Sequence, residues 1–231
     1  MILRILSGGA AASAVKGIQT AFEQHTGCRI EARFSAVGEM RDALLAGSPC
    51  DLIILTKTLI KQLSDAGHVV ATSSASLGKV QTGIAVKTGQ EFPRVDSRAS
   101  LAEAFQAARA IYCPDTLKST AGIHFKSVLT ALKLTDLLQP RLREFANGAT
   151  AMKAMAEAEE PNLLGCTQVT EINYTPGVVL VANLPKEFEL ATDYTLGICT
   201  QASQPELARQ LSDWLTGPES EAIRRQGGFE F

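Results

Sequence analysis

The chain has 231 residues, 45% of them hydrophobic and 20% charged, with a formal net charge of −2. This is the composition of a globular protein long enough for one large or two small domains. It carries no basic field for nucleic acid, and its apolar runs are strand-sized, short of the ~20 residues of a membrane span.

Strand and helix signals alternate along the chain. Leu3–Leu6 reads as a strand, Gly8-Gly9-Ala10 as a tight turn, and 11–26 as a helix with Val15, Ile18 and Phe22 on one face and Gly27 as its stop. Residues 28–34 alternate as a second strand, 39–45 read as a helix, 51–55 as a buried strand, and 58–66 as a helix closed by Gly67. This order within the first third of the chain implies a mainly parallel sheet with right-handed crossovers. Further strands are expected at 80–87, 110–113, 163–168, 178–182 and 194–200. Further helices are expected at 100–108, 125–134, 150–158, 205–216 and 218–226.

Five cysteines, Cys28, Cys50, Cys113, Cys166 and Cys199, lie mostly in or beside apolar runs. None is spaced as a metal knuckle or redox motif, so neither a metal site nor a disulfide framework is expected. Met1–Gly9 reads as a strand, not a signal peptide. The expected location is cytoplasmic as the sequence stands, or periplasmic if a leader has been removed.

Ser119-Thr120-Ala121-Gly122 follows the apolar run ending Cys113-Pro114-Asp115 and precedes a helical segment. A small, hydroxyl-bearing turn at a helix start can trap an anion, because the first helical N–H groups lack intrahelical partners and the dipole adds positive charge. Ser and Thr are also ordinary N-caps, and this stretch taken alone reads more readily as one.

The ordered set of motifs resembles a known family. Its members in this chain are Gly8-Gly9-Ala10, Ala46–Leu52, Gly83–Gly89, Ser119–Gly122, Gly165–Ile172 and Leu215–Glu219, with Gly227-Gly228-Phe229. The set is similar to the molybdate-binding-protein-like branch of the type II periplasmic solute-binding proteins. That resemblance implies an α/β fold of two lobes with mixed, mainly parallel sheets and a ligand cleft between them. Lobe one would comprise residues 1–80 and 196–231, and lobe two residues 81–195. The chain would cross between lobes near Gly78–Gly83 and Asp193–Gly197.

The same resemblance marks departures. Ala10 and Gly38 stand where molybdate binders place oxyanion-holding serines, and Gln168 stands where a Tyr is common. A carboxylate-bearing organic anion is therefore the expected ligand, held by backbone N–H groups around Gly8, Gly9 and Ala10 and around Ser119, Thr120, Ala121 and Gly122. Arg41 could add a bidentate contact, competing with an ordinary surface role. Thr167 and Gln168 end a strand where α/β sheets commonly form their ligand crevice. Two functions stay open. One is a solute-binding protein for a di- or tricarboxylate, without cofactor, partnered by an ABC transporter permease if exported. The other, also implied by the resemblance, is an isomerase of the aconitate isomerase type with His124 and Glu171 as acid–base groups. A helix-packing His124 and a helix-start Glu171 are the structural alternatives.

Overall fold

The computed structural model describes residues 1–231. The chain runs β1 (Ile2–Gly8), α1 (Ala12–Thr26), β2 (Arg29–Ser35), α2 (Val37–Leu45), β3 (Leu52–Thr56), α3 (Lys57–Asp65) and β4 (Ala75–Lys87). There follow α4 (Arg98–Ala107), β5 (Ala110–Pro114), α5 (Thr120–Ala131), α6 (Thr135–Leu138), β6 (Leu142–Phe145), α7 (Gly148–Glu157), β7 (Leu163–Gln168), α8 (Val169–Asn173) and β8 (Val178–Asn183). The last elements are β9 (Ala191–Ile198), α9 (Pro205–Thr216), α10 (Pro218–Gly227) and β10 (Phe229–Glu230). They form two compact units: unit 1 is Met1–Val80 with Thr192–Phe231, and unit 2 is Gln81–Ala191.

In unit 1 the strands lie in the order β2-β1-β3-β9, with β1, β2 and β3 parallel and β9 antiparallel to β3. The run Leu52-Ile53-Ile54-Leu55 is wholly buried, as a parallel strand covered on both faces requires. Val15, Ile18 and Phe22 of α1 are buried as their spacing predicts. Gly17 lets α1 approach α10, since a Cβ there would lie 2.9 Å from Ile223. Asp51, 1% exposed, accepts the N–H of Arg4 at 2.7 Å, of Ser203 at 2.7 Å and of Gln204 at 3.0 Å. That one carboxylate braces β1, the start of β3 and the start of α9.

In unit 2, β6-β5-β7 run parallel, and β4 lies antiparallel to both β7 and β8. Its main core joins Ile84, Phe105, Phe125, Leu129 and Leu164, and a second cluster gathers Met152, Met155 and Ile172.

The helix starts differ from the sequence reading in instructive ways. α5 begins at Thr120, not Phe125, so Ala121 and Gly122 form its first turn. Gly122 fits because a Cβ there would collide with the carbonyl oxygens of Pro114 and Asp115. α2 begins at Val37, which puts Gly38 inside the helix. β6 is not among the elements expected from the sequence, and α8 is expected only as the helix start weighed for Glu171. Both are short, and β6 has no buried residue to give it a pattern.

Candidate functional site

In each unit the parallel strands deliver helix N-termini to one edge. In unit 1, β1 and β2 end level, with Gly8 paired to Ser35, and α1 and α2 start just beyond. Neither start has a side-chain cap: the N-cap residues are Ala11 and Ala36, and Gly9–Ala11 forms a 3₁₀ turn leading into α1. Alanine is a poor cap, and no side chain of the N-cap residue takes up N–H groups at either start; the Ala12 N–H itself bonds the Gly9 carbonyl. By contrast Thr56 caps α3, Ser97 and Ser100 form a capping box on α4, and Asn147 caps α7. Gly8 also permits close packing, since a Cβ there would lie 2.7 Å from Val37. α2 is partly compensated already: Glu39 in its first turn accepts from Ser35 Oγ at 2.5 Å and from Arg33 at 2.6 Å. Arg41 turns to its neighbour, donating from Nε at 2.9 Å and Nη2 at 2.7 Å to Asp42 Oδ1 on the surface.

In unit 2, β5, β6 and β7 end where α5, α7 and α8 begin. Ser119 makes no side-chain cap bond to α5. Asp115 Oδ1 instead shapes the preceding turn, accepting from the N–H of Leu117 at 2.7 Å and of Lys118 at 3.0 Å. The α7 start is occupied from within. Thr167 Oγ1 donates to Glu171 Oε2 at 2.6 Å, and the Glu171 carboxylate also accepts the backbone N–H groups of Gly148, Ala149 and Gln168. Glu171 is 5% exposed. Burial pushes its carboxyl above the usual carboxylate value, and the four hydrogen bonds only partly offset this. Gly148 is the residue that lets α7 sit on this carboxylate, because a Cβ would overlap Glu171 Oε2 and Thr167 Oγ1.

His124 lies in the second turn of α5, where its Nε2–H donates to the Phe188 carbonyl at 2.7 Å. The structure therefore brings Thr167 and Glu171 together, places Ser119, Thr120, Ala121 and Gly122 at a neighbouring helix start, and ties His124 to the 3₁₀ turn of Lys186–Phe188. Gln168, 2% exposed, pairs across β4 with Thr82, 1% exposed. The hydroxyls of Thr82 and Thr170 are buried without a hydrogen-bond partner. Thr82, Gly148 and Ala149 are not among the residues singled out from the sequence, and Thr170 enters there only within the Gly165–Ile172 motif. The visible signal was Gln81-Thr82, a polar pair set into the apolar strand Val80–Val86. No group of three or more His, Cys, Asp or Glu side chains is arranged to hold a metal. No helix is long and apolar enough to cross a membrane.

Helix starts gathered at strand ends are, in α/β folds generally, where ligands bind. The sequence pattern described as "Bacterial extracellular solute-binding protein" matches residues 3–230, and the chain belongs to that family. Aconitate isomerase of Pseudomonas sp is 24% identical over 233 residues, which cover 97% of this chain and 86% of that protein. The periplasmic molybdate-binding protein of Azotobacter vinelandii superposes with a TM-score of 0.83 at 17% identity over 99% of each chain. The sulfate-binding protein SubI of Mycobacterium tuberculosis H37Rv gives 0.76 at 12% identity, over 99% of this chain and 86% of that one. PEB3, solved with L-phospholactate bound, gives 0.70 at 14% identity over 99% of each chain. The fold is that of the periplasmic binding proteins with which the chain superposes.

Proposed function

We propose that this chain is a solute-binding protein for a small organic anion carrying two or three carboxylates. The observation that carries the reading is the pair of uncapped helix starts at Gly8–Ala11 and Ser119–Gly122, one in each unit. Each offers backbone N–H donors to an anionic group. At Ala10 and Gly38 the side-chain hydroxyls that would suit a compact tetrahedral oxyanion are missing. The donors at the α7 start are held by Glu171, which leaves fewer for a tetrahedral oxyanion in unit 2. Two relatives support an organic ligand through their own names: one acts on aconitate, and one was solved with L-phospholactate. In this reading the partner is an ABC transporter permease that receives the ligand. The test is a thermal-shift panel of citrate, trans-aconitate, succinate, molybdate and sulfate. A ligand at 100 times its Kd adds about 2.7 kcal/mol of stability. A carboxylate should raise the melting temperature, and a rise with molybdate or sulfate alone would overturn the reading.

A second reading, an isomerase acting on a bound tricarboxylate, is favoured by the likeness to aconitate isomerase across 97% of the chain. In it, Nδ1 of His124 is the available base, since Nε2 is committed to Phe188. Incubation of cis- and trans-aconitate with the protein in D₂O, followed by proton NMR, tests it. Interconversion or deuterium uptake above the protein-free control supports the enzyme, and binding with neither signal supports the receptor.

A further inference from the structure

All five cysteines are free thiols and all are buried. Two pairs of them lie side by side. Cys113 and Cys166 follow the paired residues Tyr112 and Gly165 on β5 and β7, and both are 0% exposed in the main core of unit 2. Cys50 and Cys199 are placed differently. The β3–β9 ladder runs to Leu52 and Ile198, and beyond it the Cys199 N–H donates to the Asp51 carbonyl at 3.0 Å. The Cys50 thiol donates to the Leu52 carbonyl at 3.2 Å and lies beside the Cys199 thiol. Both line a surface cavity of about 190 Å³, together with Ser48, His68 and Gln201. Cys50 belongs to the first chain segment of unit 1 and Cys199 to the second, with all of unit 2 inserted between them.

We propose that Cys50 and Cys199 are a redox pair that closes to a disulfide on exposure to a small disulfide oxidant, covalently joining the two segments of unit 1. The step balances. The Cys50 thiolate attacks one sulfur of the oxidant, forming a mixed disulfide and releasing one thiolate. Cys199 then attacks the Cys50 sulfur, closing the protein disulfide and releasing the second thiolate. The two thiol protons pass to the two released thiolates, so the cysteines are oxidised and one oxidant disulfide is reduced to two thiols. The Cys199 thiol is held protonated by its contact with Cys50, by burial and by nearby Asp51, and the balance is the same whichever of the two thiols attacks first. Cys113 and Cys166 supply an internal control, since both are 0% exposed in the core of unit 2 and burial raises the Cys113 thiol to about 12.

The test uses the native chain with glutathione disulfide, quenched by iodoacetamide and mapped by mass spectrometry without reduction. The expected result is a Cys50–Cys199 linked peptide, with Cys28, Cys113 and Cys166 alkylated only after denaturation. The oxidised protein should melt at a higher temperature, and Cys50→Ser and Cys199→Ser should each abolish both the link and the shift. The mapping of the unsubstituted chain stands even if a variant folds poorly. Recovery of Cys50 and Cys199 as free thiols, a stable glutathione adduct on Cys50, or linkage without a rise in melting temperature would overturn the proposal.

Discussion

The Glu171 side chain occupies the helix start of α7 as an anionic ligand would. A carboxylate placed at the N–H groups of Gly148 and Ala149 satisfies donors that α7 cannot pair internally. Two expectations follow at this scale. Gly148→Ala should cost about 2–4 kcal/mol in urea unfolding, because the added Cβ overlaps Glu171 and Thr167 and the helix must move. The second concerns pH. Burial raises the Glu171 carboxyl above its ordinary value of 4.5, so the folded chain binds that proton more tightly than the unfolded one. The stability it contributes is then fully present below about pH 4.5 and is lost as pH rises through the raised folded value. Glu171→Gln should flatten that part of the stability–pH curve, and an unchanged slope would show that the carboxyl does not titrate there. None of this could be read from the sequence, in which Gly148 and Glu171 are 23 positions apart. They meet only because β6 and β7 both flank β5 and deliver α7 and α8 to the same edge.

At the scale of elements, the junction of α9 and α10 rests on Arg224. It is 4% exposed and donates to the Thr216 carbonyl at 2.9 Å, the Gly217 carbonyl at 3.2 Å and the Leu77 carbonyl at 2.8 Å. The Phe231 ring stacks over its guanidinium with the centroid at 4.4 Å. The first two bonds satisfy carbonyls that the end of α9 leaves open, and the third ties α10 to β4. Arg224→Ala should cost about 3 kcal/mol or more by chemical denaturation, and Arg224→Lys should recover only part of it, because an ammonium lacks the planar fork. Most elements were legible as alternating apolar segments ended by glycine. The exceptions have physical causes. Gly122 disguised the start of α5, since glycine normally weakens a helix interior and here answers to two carbonyl contacts. β4 begins at Ala75, well before the apolar run at Val80. There its neighbour is the short β10, paired through Phe229 and Glu230, which no local pattern announces.

For the whole molecule, the α/β class and the family were visible in the order of the motifs, because strand ends and helix starts carry the glycines and small residues. The site was less legible. Which helix starts stay open depends on caps supplied from elsewhere in the chain, as Glu171 does for α7, and on side chains such as Arg41 finding surface partners. Isothermal titration calorimetry with trans-aconitate, citrate and molybdate at matched ionic strength tests the central claim most directly. Saturable binding of a carboxylate and no detectable heat with molybdate is the expected result. Tight binding of molybdate, with no response to either carboxylate, would contradict it.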